Sequence, residues 1–263
     1  MRILARDLVR LVDETHFAAS THAESAPQLR GLYLEPVLNR VRLVGTNGAV
    51  LAWASAPVDY AYAGCTVPPL RTLGARVIEV RGLRWAAARL VGRGGSVTLD
   101  YLERGASQAQ RPGLGVTPAL RLSWGDHVVE VPTIDAPFPD YAQVDTPGPY
   151  RVQVRRDSLL AAVQRLEPLA VDVNRAGTIV IAEDVQVEVA ARALGQEPVA
   201  LSVPLLNGPG GRELITRCNL RTLAALLPYA GEVVEIGYNG PLDCLFLLGR
   251  TDWRGVIATL RVA

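Results

Sequence analysis

LRWAAARLVGRGGSVTL, residues 83–99, reads as an apolar helical segment, a glycine stop and then a strand, and the chain repeats that order at LRTLAALLPYAGEVVEI, residues 220–236. Leu83 and Leu220, Arg84 and Arg221, Gly94 and Gly231, and Val97 and Val234 fall in register. A second echo precedes each of these. ARDLVRLV (5–12) and RRDSLLAAV (155–163) both open an amphipathic helical pattern on an Arg-Asp pair, with Asp7 or Asp157 in the first turn, where an acid favours a helix N-terminus. Between the two helices of each half lie runs of period two: LRGLYLE, NRVRLVGT and AVLAWASAPV in the first, TIVIA, VQVEVAARA and PVALSVPL in the second. Two short helices and roughly six to eight strands per half predict one structural unit used twice.

Length and composition agree with that division. A chain of 263 residues exceeds the usual size of a single core, and 49 % hydrophobic with 20 % charged residues predicts a globular protein. The halves are expected to be domains of residues 1–143 and 144–263. The stretch IDAPFPDYAQVDTPGP (134–149) joins them; its four prolines stiffen the chain and deny it ladder hydrogen bonds, so it reads as a linker.

Several chemistries lack their parts. All 27 basic residues are arginine, a pattern best ascribed to codon bias in a GC-rich genome, and whatever its cause it excludes a lysine-based phosphate loop and a lysine Schiff base. Cys65, Cys218 and Cys244 are odd in number with no C-x-x-C spacing, and read as structural thiols. His16, His22 and His127 are isolated, no Gly-x-Ser-x-Gly elbow is present, and NGPGG (207–211) has no lysine after it, so it reads as a surface loop. ERGASQAQRPGLG (103–115) reads as a mobile insertion, and Glu183 with Asp184 as a hairpin turn. Trp53 and Trp85 could stack on bases, but Trp85 lies among Ala and Leu and is expected in the core. Neither cofactor nor metal is expected, and no catalytic constellation: the protein is read as a non-enzyme. With no apolar run of about 20 residues and with acids in MRILARDLVRLVDE, it is expected to be cytoplasmic, with no membrane partner.

Net charge is only +1, but it is unevenly placed. The predicted helical segments (5–14, 81–93, 155–167 and 217–229) hold eleven arginines and five acids, a net +6; the rest of the chain holds sixteen and twenty-one, a net −5. One reading is that arginine, a good helix former, solvates the outer face of each helix. The other is that the helices share a surface that meets phosphates without reading sequence. The candidate phosphate contacts are Arg6, Arg10, Arg84, Arg89, Arg93, Arg155, Arg156, Arg165, Arg217 and Arg221; Arg81 belongs to the same charge count.

Four collinear stretches carry a family resemblance: VGTNGAVLAWASAP (44–57), APFPDYAQV (136–144), VRRDSLLAAVQRL (154–166) and NLRTLAALLPYAGEVVEIGY (219–238). Over nearly its whole length the chain resembles the second and third domains of the bacterial sliding clamp, the beta subunit of DNA polymerase III. The resemblance implies an α+β DNA clamp fold: two similar domains, each of two βαβββ units with its two helices on one face of antiparallel sheets. It implies a processivity factor for DNA replication or repair, with six domains closing a ring around double-stranded DNA. For a two-domain chain the arithmetic favours a homotrimer.

The resemblance also implies a hydrophobic groove for short peptides of DNA polymerases and the clamp loader, formed where both domains meet. Its walls would be Leu29, Thr46, Gly48, Val50, Leu51, Pro139, Val144, Val256 and Ala258. Here the family's His-Arg pair is Ala49 and Val50, its methionine near the C-terminus is Ala258, and the chain ends TLRVA, which leaves an apolar but reshaped groove. A clamp-like adaptor or decoy that binds such peptides without closing a ring is the alternative reading.

Overall fold

Strand, helix and three strands follow one another four times along the chain. The first repeat is β1 (Arg2–Leu4), α1 (Ala5–Asp13), β2 (Gly31–Val37), β3 (Arg40–Thr46) and β4 (Val50–Pro57). The second is β5 (Arg76–Glu79), α2 (Val80–Ala88), β6 (Ser96–Leu102), β7 (Ala119–Trp124) and β8 (His127–Ile134). The third is β9 (Tyr150–Arg155), α3 (Arg156–Leu166), β10 (Ala176–Ile181), β11 (Asp184–Val189) and β12 (Val199–Pro204). The fourth is β13 (Leu214–Asn219), α4 (Leu220–Leu226), β14 (Val233–Tyr238), β15 (Leu245–Arg250) and β16 (Trp253–Ile257). This computed structural model describes residues 1–59, 75–102, 118–170, 174–190, 198–207 and 213–260. Cys65, the 103–115 insertion, most of NGPGG and the last three residues lie outside them. The fold is α+β, as the repeat pattern predicts.

Two compact units divide the chain: Met1–Asn47 with Trp53–Pro139, and Gly48–Ala52 with Asp140–Ala263. Each unit holds two repeats that exchange their first strands. In the first unit β1 pairs with β6 (Ile3 opposite Val97) and β5 with β2 (Ile78 opposite Leu32). In the second, β9 pairs with β14 (Val154 opposite Val234) and β13 with β10 (Cys218 opposite Gly177). Every one of these pairings is antiparallel. A repeat therefore cannot complete its own sheet, and the four strands of each group come from two stretches distant in sequence.

Alternation along the strands builds the core. Leu32 and Leu34, Val41 and Leu43, Val97 and Leu99, and Leu120 and Leu122 are buried in the first unit; Val152 and Val154, Ile179 and Ile181, and Val185, Val187 and Val189 are buried in the second. The helices lie on these faces with a stripe at spacings of three and four: Leu8, Leu11 and Val12 on α1, Leu83, Ala86 and Ala87 on α2, Leu159, Ala162, Val163 and Leu166 on α3, and Leu220, Leu223 and Leu226 on α4. Each buried leucine contributes about 1.5–3 kcal/mol. α1 packs on α2 and α3 on α4, so each unit carries its helices as a pair. Gly82 permits the close approach of α2 to β8, since a Cβ there would stand 2.9 Å from Val131 Cγ1.

Helix starts are tied to the neighbouring repeat. The Ala5 N–H donates to Gly95 O (3.0 Å), Arg156 N–H to Glu232 O (2.9 Å) and Leu220 N–H to Arg175 O (3.0 Å), satisfying donors that a helix N-terminus otherwise leaves open. Glu79 caps α2 by accepting from the N–H groups of Arg81 and Gly82, and Asn219 caps α4 by accepting from Thr222 N–H. Left-handed glycines at Gly95 (φ +91) and Gly231 (φ +93) turn the chain into β6 and β14. In the first unit the turning residue is thus one beyond Gly94.

Other expectations are corrected. α4 begins at Leu220, so Arg217 stands on strand β13 and not on a helix; at 214–219 the chain alternates buried and partly exposed residues, which strand pairing to β10 exploits. Burial matches Leu8, Leu11 and Val12 to Leu159, Ala162 and Val163, one residue out of step with the Asp7/Asp157 alignment, because the apolar stripe sets a helix's rotation and a first-turn acid tolerates either position. Trp85 is not core: it is 50 % exposed, lying off the Leu83, Ala86, Ala87 and Leu90 stripe. The proline-rich stretch packs more than a linker would, with Phe138 stacked on Tyr33 (centroids 4.7 Å, planes 4° apart) and Tyr141 buried.

Candidate nucleic-acid interface

Burial of one stripe leaves the opposite side of each helix to polar residues, and this puts arginine on the surface. In the first unit Arg6 on α1 is exposed, as are Arg81 and Arg84 on α2 and Arg89 and Arg93 in the turn beyond it. Segment 80–95 contains the last four of these and no acid. None of those four forms an ion pair among the described residues, whereas pairs do form elsewhere, such as Arg121 with Glu130 (2.9 Å) and Arg151 with Glu235 (2.5 Å). Arg10 differs. It donates to Glu14 Oε2 (2.9 Å) and Ser55 O (3.0 Å), with Asp7 at 4.0 Å, so its charge is largely spent inside the unit.

In the second unit Arg155, at the end of β9, and Arg165 and Arg221, on α3 and α4, are exposed. Arg156 donates to Asp157 (2.8 Å), its neighbour in sequence, and Arg217 is half-buried on β13. The ten candidates therefore fall into two groups, one per unit. Arg10 and Arg156 each pair with an acid, and Arg89, Arg93, Arg155 and Arg217 lie outside the helices proper.

One residue escapes a reading of helical segments. Arg175, in the turn before β10, lines a cleft of about 380 Å³ with Gln164, Glu167, Arg221 and Ala224. Its guanidinium donates to Glu167 (2.8 Å). The sequence signal was the charge of Arg175 itself, but a residue outside the helical and strand patterns carries no periodicity to say which side it faces.

Four of the nine expected groove residues, Thr46, Val50, Leu51 and Val256, are buried. In the second unit Val50 and Leu51 are 5 % exposed and Val256 3 %, and Ala258 N–H donates to Ala49 O (2.9 Å), joining 48–52 to the last strand's end. Val144, at the end of the short helical turn Tyr141–Gln143, is 46 % exposed, and Gly48 is also exposed. In the first unit Thr46 is buried, Leu29 half-buried and Pro139 exposed.

The described residues contain no group of three or more His, Cys, Asp or Glu suited to a metal ion. Cys218 is fully buried, and that burial pushes its thiol up to about 12. No helix among the described residues is long and apolar enough to cross a membrane.

No family model matches the chain. The beta sliding clamp of Caulobacter vibrioides (strain NA1000 / CB15N) is 26 % identical over 238 residues, which are 89 % of this chain and 52 % of the clamp. The chain thus spans about half the length of the curated relatives it matches. Among solved structures, the C. crescentus beta sliding clamp aligns with a TM-score of 0.81 at 21 % identity, over 100 % of this chain and 65 % of that one. The DNA polymerase sliding clamp from Bacillus subtilis aligns at 0.82 with 16 % identity, over 100 % and 64 %. The DNA polymerase III beta subunit from Thermotoga maritima aligns at 0.80 with 18 % identity, over 100 % and 65 %. The chain resembles part of the bacterial beta sliding clamp and has its fold.

Proposed function

We propose that this chain is a sliding clamp or a close variant of one: a non-enzymatic, cytoplasmic processivity factor that encircles duplex DNA and tethers a polymerase or repair protein. The observation that carries this reading is the set of exposed arginines, Arg6, Arg81, Arg84, Arg89 and Arg93 in one unit and Arg155, Arg165 and Arg221 in the other, on or beside the helix pairs of a clamp fold. Guanidinium groups without carboxylate partners attract phosphates irrespective of sequence, and weak, replaceable contacts of this kind let a protein move along a duplex. Tethering then raises the local concentration of the attached enzyme without new chemistry.

Six clamp units close a ring, so three copies of this two-unit chain are the assembly we propose. Light scattering on the purified protein should give the mass of three chains; a species that stays monomeric at high concentration would refute the ring.

Peptide capture uses the apolar surface near Val144. Placing a charge on Leu51 or Val256 would bury it unpaired and damage the fold, so the informative change is Val144→Glu. A short apolar peptide from the host's replicative polymerase should bind the parent protein with roughly micromolar strength and lose at least about tenfold on Val144→Glu, with native mass unchanged. Undiminished binding would show that the peptide docks elsewhere.

A further inference from the structure

Trp85 is unexplained by the fold. Its neighbours Leu83, Ala86, Ala87 and Leu90 fill the buried stripe of α2 and the turn after it, and Trp85 lies off that stripe with half its surface exposed. Trp53 and Trp253, by contrast, are buried. A large apolar ring on the solvent side of a helix gains nothing from the core and is a poorer helix former than Leu or Ala.

The surroundings of the ring are built from arginine. The Arg89 guanidinium lies over the indole, 3.2 Å from its centroid, and Arg89 also donates to Trp85 O (3.4 Å). Arg93 Nε donates to Arg89 O (2.8 Å). Arg84, adjacent in sequence, is exposed, and no acid occurs between residues 80 and 95. The site therefore presents an indole covered on one face by Arg89 and still half exposed, inside a field of positive charge that no carboxylate of its own segment offsets.

We propose that Trp85, with Arg84, Arg89 and Arg93 around it, is a stacking platform for unpaired nucleotides, so that the protein binds single-stranded DNA as well as the duplex. This rests on the proposed meeting of the helix surface with nucleic acid, and adds a preference that phosphate contacts alone do not give. In a duplex the faces of the bases are covered by their neighbours, so an indole reaches only sugar and phosphate. In a single strand a base can turn out and lie on the indole surface that Arg89 leaves exposed, while the guanidinium groups hold the flanking phosphates.

The test compares Trp85→Leu, which keeps apolar cover on the helix without a ring, with Trp85→Tyr, which keeps a ring. Fluorescein-labelled dT20 and a 20-base-pair duplex are titrated with the full chain at low salt, and binding is followed by anisotropy. Trp85→Leu should weaken dT20 binding at least about fivefold and Trp85→Tyr by less than about twofold, with duplex binding within about twofold for both. The parent protein's tryptophan fluorescence should be quenched by dT20, and that quench should vanish in Trp85→Tyr. Equal losses on dT20 and duplex, no loss on either, or no dT20 binding by the parent protein would each overturn the platform. Duplex binding by the parent protein reports separately on the proposed function, so the two readings can fail independently.

Discussion

Cys218 on β13 sits wholly inside the second unit, facing Gly177 of β10 across the ladder, and burial alone raises its thiol from the ordinary value of 9.0 to about 12. Burial and Asp243 raise the Cys244 thiol too, but it is only half-buried, so a thiol-specific reagent at pH 8 should label Cys244 faster than Cys218; labelling of both at one rate would show that β13 opens locally. Because the folded-state value is the raised one, the neutral thiol's contribution to stability is complete below pH 9 and is lost as the pH climbs from about 9 to about 12. Burial likewise raises the Tyr101 phenol, so alkaline unfolding should be steeper than for a protein whose groups titrate freely. Cys218→Ala should flatten the denaturant midpoint between pH 9 and 11. At this scale the sequence was legible wherever periodicity spoke: Leu83, Ala86, Ala87 and Leu90 state a stripe, and Trp85 lies off it. Its expected burial came from the company of Ala and Leu, which says nothing about the direction in which a side chain points.

The four helices are short, and their ends are set by partners outside themselves. Glu79 accepts from two N–H groups of α2, whereas α1 and α3 have no side-chain cap and rely on the backbone carbonyls of Gly95 and Glu232. Glu79→Ala should therefore cost about 1 kcal/mol, seen as a lower urea midpoint at unchanged slope. No shift would mean that packing of α2 on β8 fixes the helix start. Helix positions were readable because apolar spacing marks all four and a first-turn acid marks α1 and α3, but Arg217 shows the limit: it stands on β13, which runs directly into α4 at Asn219–Leu220 with no turn between them. The arginines of these elements make a sharper prediction. Arg84→Ala with Arg221→Ala, both exposed, should reduce the salt slope of duplex binding by about one unit for each phosphate that the variant no longer neutralises. An unchanged slope would mean that α2 and α4 do not meet DNA.

At the scale of the whole molecule, repetition was the clearest message, since four βαβββ passages leave echoes at 5–12, 83–99, 155–163 and 220–236. The exchange of first strands between repeats was not legible. Val97 or Val234 carries no mark naming Ile3 or Val154 as its partner, because antiparallel ladders are held by backbone groups common to every residue. The residues expected to line a groove were similarly only half readable, since only the folded chain reveals that Val50, Leu51 and Val256 are buried while Val144 is open. In the proposed assembly the protein surrounds the duplex and does not merely adhere to it. Protein bound to a nicked circular plasmid should be followed by gel filtration, before and after a single restriction cut, at salt high enough to release surface-bound protein. An encircling ring should stay with the circle and run off the linear product. Equal retention on both, or no retention on the circle, would contradict it.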